Sequence, residues 1–476
     1  MILENYINGE WQKPQKCTYF EVDNPATLEI LAQIPWMYDF SIINTAIESA
    51  HASFYKWAKL SVYERANYCE KLRALILENK DEFAKTMTKE SGKVIRETES
   101  EVYYSCDYIS TYIAEAKSLR GETIPSHLQE KRILAIRQPL GVVAAITPWN
   151  FPLAMLIRKI IPALLVGCSV VVKPSEETPI TAYKLFELID KIKFPKGVAN
   201  LVFGEPEHIG KVLCESEKVA KVSFTGSVEV GKILMKNSAN TVKKLTLELG
   251  GNAPFIVFED ANIDEAVCGL IRCKFRNAGQ TCISANRIFL HERIYNDFMD
   301  KLISAIKQLK VGNGLDPNNN IGPLINEQAI CKVEELINDA LRSGAKLVLG
   351  GKSLKEKLGG YFFEPTLLVD VTPDMKIWNE EIFGPVVIVR RFDSDKVIEL
   401  ANSTKYGLAA YIFTQNISRA ITAAENLEFG IVGVNDSTPS ATQAPFGGIK
   451  QTGFGREGGK YALEEYTYLK YLSFKI

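Results

Sequence analysis

The chain has 476 residues, 46% hydrophobic and 24% charged, and 56 basic side chains nearly balance 57 acidic ones for a net charge of -1. That length predicts two or more domains, and the even charge lacks the basic footprint of a nucleic-acid binder, so no nucleic-acid partner is expected. The longest apolar run, Ile160–Val172, is interrupted by Pro162, Gly167 and Ser169 and is too short for a bilayer, so no membrane partner is expected either. The first residues, Met1–Trp11, lack the basic segment, apolar core and cleavage site of a targeting peptide. Nine scattered cysteines without CxxC pairs argue against a disulfide scaffold and for a reducing, cytoplasmic setting. The four histidines, His51, His127, His208 and His291, lie too far apart to predict a metal site, and no metal is expected.

In chain order, Tyr6–Ile7 and Glu10–Trp11 read as strands joined by an Asn8–Gly9 hairpin turn. From Phe40 to about Ala116, apolar residues such as Ile43, Ala46, Ile47 and Ala50 recur at helical spacing and predict packing helices. Ile133–Gln138 reads as an isolated strand. From Leu140 strands and helices alternate: strands Gly141–Thr147, Ser169–Lys173, Asn200–Phe203, Lys221–Thr225 and Lys243–Leu249, with helices such as Ala154–Val166 and Ile180–Lys193 between them. Such alternation predicts a doubly wound parallel sheet whose ligand lies beyond the carboxyl ends of the strands. Those ends carry Asn150, Lys173, Gly204, Gly226 and Glu248. A second α/β series begins at Pro254, and Gly250–Gly251 is read as a hinge between the two. Its expected strands are Phe255–Phe258, Arg287–Leu290, Leu347–Leu349, Val386–Arg390, Ala410–Phe413 and Ile431–Val434. The last stretch, Tyr466–Ile476, alternates and is rich in aromatics. It is a bare edge strand that needs a partner, and Ile133–Gln138 is the candidate, within or between subunits.

The chemistry concentrates in Phe275–Arg287, around Cys282. A thiolate is a strong nucleophile, and the small and amide neighbours Ala278, Gly279, Gln280 and Thr281 leave room that a core cysteine does not need. Glu248 alternates with leucines at the active edge of the sheet, where a partly apolar setting raises a carboxyl's proton affinity and suits a general base. Asn150 sits between Pro148 and Pro152, a stiffly held amide able to donate to an oxyanion. Lys173 and Glu176, at a strand end, suit the hydroxyls of a ribose. Gly226–Gly231 opens a helix where free N–H groups suit phosphate, although the GxxxxG spacing by itself is a weak signal.

Seven segments in order, Pro148–Pro152, Lys173–Glu176, Phe224–Ser227, Leu247–Gly251, Gly279–Cys282, Glu380–Pro385 and Pro445–Lys450, resemble the NAD(P)-dependent aldehyde dehydrogenase superfamily. The likeness runs from about Asn24 to the C-terminus and is nearest to the succinate-semialdehyde dehydrogenases. It implies a Rossmann-type parallel-sheet domain at 1–120 and 140–250, an α/β catalytic domain at 251–450, and a small β oligomerisation arm at 121–139 and 451–476. It implies Cys282 as nucleophile, Asn150 as oxyanion donor and Glu248 as the base that activates water. A nicotinamide cofactor would lie against Thr147, Pro148 and Trp149, Lys173, Ser175 and Glu176, Gly226 and Ser227, Leu249, Glu381 and Phe383. Arg158, Arg287 and Ser440 would grip a substrate carboxylate. The carboxylate of Glu176 would repel a 2′-phosphate, so NAD is preferred over NADP. Ser284 stands where some relatives carry a second cysteine, so no redox disulfide is expected there. The resemblance implies a small polar aldehyde as substrate, succinate semialdehyde first, with glutarate semialdehyde, lactaldehyde or glycolaldehyde as alternatives, and a homo-oligomer, dimer or tetramer, as the assembly. An inert binding protein on this fold would be free to lose Cys282 or Glu248, and both are present.

Overall fold

A computed structural model describes residues 1–394 and 396–476. Its largest sheet has eight strands, in the order Gly453–Phe454, Lys244–Glu248, Val219–Thr225, Val142–Ile146, Ser169–Lys173, Ala199–Leu201, Asn5–Ile7 and Glu10–Gln12. The five from Lys244–Glu248 to Ala199–Leu201 are parallel. All five residues of Ser169–Lys173 are buried, as expected of a strand covered on both faces by crossover helices. The hairpin of Asn5–Gln12 extends one edge; its turn residues Asn8 (φ 54°) and Gly9 (φ 77°) take the left-handed conformation that matches strand twist.

Strand order reverses beside Val142–Ile146. From there the chain winds outward to Ser169–Lys173 and Ala199–Leu201, then returns to the other side with Val219–Thr225. Crossovers diverge at this point, so the carboxyl ends of Val142–Ile146 and Val219–Thr225 frame an open crevice. The helix after the first strand, Pro152–Val166, is buried along its whole length and packs on helix Ile95–Ser118. It is apolar all round except at Arg158 and Lys159, a pattern that places it in the core.

The second sheet has seven strands: Lys346–Leu349, Thr366–Val369, Val386–Phe392, Ala285–His291, Ala253–Val257, Ala409–Phe413 and Ile431–Val434. Only Lys346–Leu349 runs antiparallel. Thr366–Val369 was absent from the expected set: four residues without alternation carry little periodic signal.

A three-stranded antiparallel sheet pairs Thr467–Lys475 with Lys131–Pro139, and the latter with Glu122–Ile124. The terminal strand thus pairs within its own chain, and Leu469, Tyr471 and Phe474 remain exposed on it. The arm does not begin at 451, as the sequence suggested, but at Thr467. Gly453–Phe454 pairs with Leu247–Glu248 of the first sheet, and helix Gly459–Glu465 packs on Ile95–Ser118. Gly250 and Gly251, read as a hinge, serve close approach instead. A Cβ on Gly250 would lie 2.5 Å from Glu381 Oε2, and one on Gly251 would overlap the Cys282 carbonyl.

Candidate active site

Cys282 lies where the two large sheets face each other. The turn before it is unusual: Asn277 (φ 49°), Ala278 (φ 53°) and Gly279 (φ 79°) are left-handed in succession. Such backbone costs about 1–3 kcal/mol per non-glycine residue and persists only when its surroundings hold it. A Cβ at Gly279 would overlap the Gly384 carbonyl, so that position admits glycine alone. Hydrogen bonds hold the rest. Asn277 Nδ2 donates to the Asn150 and Gln280 carbonyls, each at 3.2 Å. Gln280 Nε2 donates to the Asn277 carbonyl at 3.1 Å, while its Oε1 accepts the Ile325 N–H at 2.9 Å. Asn150 Nδ2 donates to the Gln280 carbonyl at 3.1 Å, which leaves its second amide hydrogen for a ligand beside Cys282.

A cavity of about 240 Å³ opens on Cys282, in the crevice where strand order reverses. Pro148, Trp149, Asn150, Met155, Thr225, Gly226, Ser227, Glu248, Leu249, Gly250, Cys282, Glu381 and Phe383 line it. Thr147 is buried just behind, its N–H donating to the Lys173 carbonyl at 3.1 Å. Ser227 caps helix Val228–Ser238 through the Val230 N–H, so this helix presents its positive end to the cavity. Lys173 is buried and paired with Glu176 at 3.0 Å, and Ser175 between them accepts the Glu177 N–H. Glu381 accepts the Gly251 N–H at 2.9 Å, and burial pushes its carboxyl up to about 7. Phe383 meets Trp149 edge-to-face at 5.5 Å. An anion-binding helix end, a lysine–carboxylate pair and an aromatic wall fit a nicotinamide dinucleotide.

A second cavity, of about 630 Å³, reaches the other side of the nucleophile through Thr281 and Ile283. Ser440 lines it, and so does Arg276, which the sequence reading passed over although it stands six residues before Cys282 in the same polar stretch. The Arg276 guanidinium rides over the Phe151 ring at 4.8 Å and enters none of the ion pairs among the described residues. Arg96 and Arg272 stand at the same cavity.

Arg287 is elsewhere. The substrate contact expected of it is contradicted: it is fully buried under the second sheet. Its guanidinium donates to Asn252 Oδ1 at 2.8 Å, the Asn252 carbonyl at 3.1 Å, the Leu400 carbonyl at 3.2 Å and the Ala401 carbonyl at 2.8 Å. Four of its five N–H donors are spent on the scaffold. Its strand, Ala285–His291, is buried at every position, so both faces of the sheet are covered there and the side chain is held by the scaffold.

Arg158 is buried too, paired with Glu457 at 2.6 Å and set over the Phe446 ring at 4.1 Å. Its Nη2 has no hydrogen-bond partner. Next to it Lys159 donates to Glu457 at 2.5 Å and to Thr225 at 2.7 Å. Two adjacent cations in an otherwise apolar helix were the legible sign of this cluster. Burial raises the Glu457 carboxyl, but Arg158 and Lys159 outweigh burial and hold it low. Glu248 shows the opposite balance. Burial first, then the nearby Glu457, lift its proton affinity well above the usual carboxylate range, and neither oxygen has a hydrogen-bond partner. Burial, with Glu381 and Glu248 adding to it and Arg158 opposing, pushes the Cys282 thiol up to about 12. Both the thiol and Glu248 are thus held toward their protonated forms.

This combination of sheets, crevice, thiol, carboxyl and amide defines an aldehyde dehydrogenase: the sequence matches the aldehyde dehydrogenase family over residues 11–472, and the chain belongs to it. Among relatives, it is 49% identical over 470 residues to the mitochondrial succinate-semialdehyde dehydrogenase of Oryza sativa subsp. japonica, covering 98% of this chain and 89% of that one. It is 46% identical to the succinate-semialdehyde dehydrogenase of Escherichia coli (strain K12) named for NADP(+), covering 98% and 96%. The crystal structure of succinate-semialdehyde dehydrogenase from Burkholderia pseudomallei superposes with a TM-score of 0.97 at 47% identity, covering 100% of this chain and 98% of that one.

Proposed function

We propose that this protein oxidises succinate semialdehyde to succinate with NAD(P), NAD preferred, and that it does so in the cytoplasm as a homo-oligomer. The observation that carries the substrate is the meeting of Arg276 and Ser440 in the cavity that borders Cys282. A carboxylate tail entering that cavity finds a planar guanidinium not engaged in an ion pair, which suits a bidentate, charge-assisted contact.

In this reading Glu248 first releases its own proton to solvent and then takes the Cys282 proton as Sγ attacks the aldehyde carbon. The second amide hydrogen of Asn150 and the Cys282 N–H receive the oxyanion. Trp149, Lys173, Glu176, Ser227, Glu381 and Phe383 would hold a nicotinamide cofactor, which would supply a hydride acceptor for the aldehyde carbon. Glu248, after passing that proton to solvent, takes one from the water that hydrolyses the cysteine thioester and gives it to the departing Cys282 sulfur, so that succinate leaves with the thiol restored. Lys173 holds the Glu176 carboxylate where it favours free ribose hydroxyls over a 2′-phosphate. The exposed Leu469, Tyr471 and Phe474 of the terminal strand offer an apolar face to a second subunit. A second reading, glutarate semialdehyde, is favoured by the volume of the Arg276 cavity, about 630 Å³, within the range that holds far larger ligands.

Steady-state turnover of succinate semialdehyde, glutarate semialdehyde and butanal, each with NAD and with NADP, tests the proposal. The expected order of kcat/KM is succinate semialdehyde with NAD first and butanal last. Butanal matching the semialdehydes contradicts the carboxylate grip, and a preference for NADP contradicts the role given to Glu176.

A further inference from the structure

Helix Ile95–Ser118 touches both halves of the catalytic centre through two acids one turn apart on the same face. Glu101 accepts the N–H groups of Leu153 at 3.0 Å and Ala154 at 3.1 Å, capping the helix that follows Asn150. It is tied by Lys93, at 2.5 Å, whose ammonium also sits 3.9 Å over the Phe151 ring. Glu97 reaches the other half. Its Oε2 accepts the Asn277 N–H at 2.9 Å, at the first residue of the left-handed turn that leads into Cys282. Glu97 also lines the Arg276 cavity, and it is the only carboxylate among the lining residues, beside Arg96, Arg272 and Arg276. Burial raises its carboxyl above the usual range, and Arg276 is the first of the cations opposing that rise.

We infer that Glu97 is a positioning residue for the nucleophile loop and the internal counter-charge of the anion cavity: it fixes the turn before Cys282 and offsets the pull of Arg276 on an anionic aldehyde. The two effects separate chemically. A glutamine keeps an oxygen for the Asn277 N–H but carries no charge; an alanine removes both. The second half of the inference rests on the anionic-substrate reading, and the first half does not.

The test is steady-state kinetics of the full-length protein and its Glu97→Ala and Glu97→Gln variants with succinate semialdehyde and butanal. A companion measurement is the rate at which iodoacetamide alkylates Cys282, which reads the placement of the thiol without turnover. With Glu97→Ala, kcat is expected to fall about tenfold or more with both aldehydes, the alkylation rate to change, and Glu97→Gln to recover most of both. With Glu97→Gln, the ratio of kcat/KM for the semialdehyde to that for butanal is expected to rise about threefold or more. Wild-type kcat and alkylation in Glu97→Ala overturn the positioning role, and an unchanged or lower ratio in Glu97→Gln overturns the counter-charge. If the wild type does not prefer the semialdehyde to butanal, the substrate reading fails by itself, and the butanal and alkylation data still decide the positioning role.

Discussion

Asn277 and Asn150 are tied across the junction of the two large sheets: Asn277 Nδ2 donates to the Asn150 carbonyl at 3.2 Å, and both side chains converge on the Gln280 carbonyl. The amide that is to meet an oxyanion is therefore oriented by the same turn that carries the thiol. Replacing Asn150 with alanine removes the donor and one strut of the turn. The expected loss in kcat is about 10²–10³-fold, as for other oxyanion donors. A loss below about tenfold would mean that the amide serves structure alone.

The thiol's environment sets a pH signature. With its pKa pushed up to about 12, Cys282 is protonated across the neutral range, and its thiolate fraction grows about tenfold per pH unit. Iodoacetamide alkylation of the cofactor-free protein should therefore rise steadily from pH 7 upward without a plateau near the usual thiol range of about 8.5. A plateau there would show that burial and the nearby carboxyls do not govern the thiol.

Arg287, expected to meet the substrate, is bonded to the scaffold, and in the proposed function Arg276 takes the substrate carboxylate in its place. Arg276→Leu is expected to raise KM for succinate semialdehyde about 10- to 150-fold, the equivalent of losing roughly 1.5–3 kcal/mol of charge-assisted hydrogen bonding. It should leave the melting temperature close to that of the wild type. Arg287→Leu is expected to do the reverse: it orphans four acceptor contacts in the core and should cost about 3 kcal/mol or more of stability. Thermal melting and substrate kinetics on the two variants decide between these assignments.

The contrast shows what the sequence could and could not display. The strand–helix alternation, the polar strand ends and the Cys282, Glu248 and Asn150 constellation were legible, because period and turn chemistry are local properties. The crevice residues Trp149, Ser227, Glu381 and Phe383 were legible through family likeness and do line one cavity. Arg287 failed because its strand is covered on both faces, and its partners Asn252, Leu400 and Ala401 are distant in sequence. Arg158 and Lys159 in an apolar helix signalled a buried cluster, but Glu457, 298 residues from Lys159, is a partner that no local pattern encodes. The arm boundary was misplaced because Gly453–Phe454 is only two residues of strand, and its pairing with Leu247–Glu248 leaves no periodic trace.

Gly447 guards the carboxyl. A Cβ there would stand 2.7 Å from Glu248 Oε1, 2.7 Å from the Gly455 carbonyl and 2.9 Å from Arg456 Cδ, so the Glu248 and Arg456 side chains must give way. Gly447→Ala should displace the Glu248 carboxyl and lower steady-state turnover, while the first burst of NADH persists because the thiol is untouched. Loss of the burst along with turnover would show that the substitution disturbs Cys282 itself.

The central claim is that Cys282 carries the acyl group and Glu248 releases it. The most direct measurement mixes the Glu248→Gln protein with succinate semialdehyde and NAD and follows both NADH and intact protein mass. The account predicts one NADH per active site, near-zero turnover thereafter, and an acyl adduct that maps to Cys282. Continued turnover without an adduct, or an adduct on another residue, would contradict it.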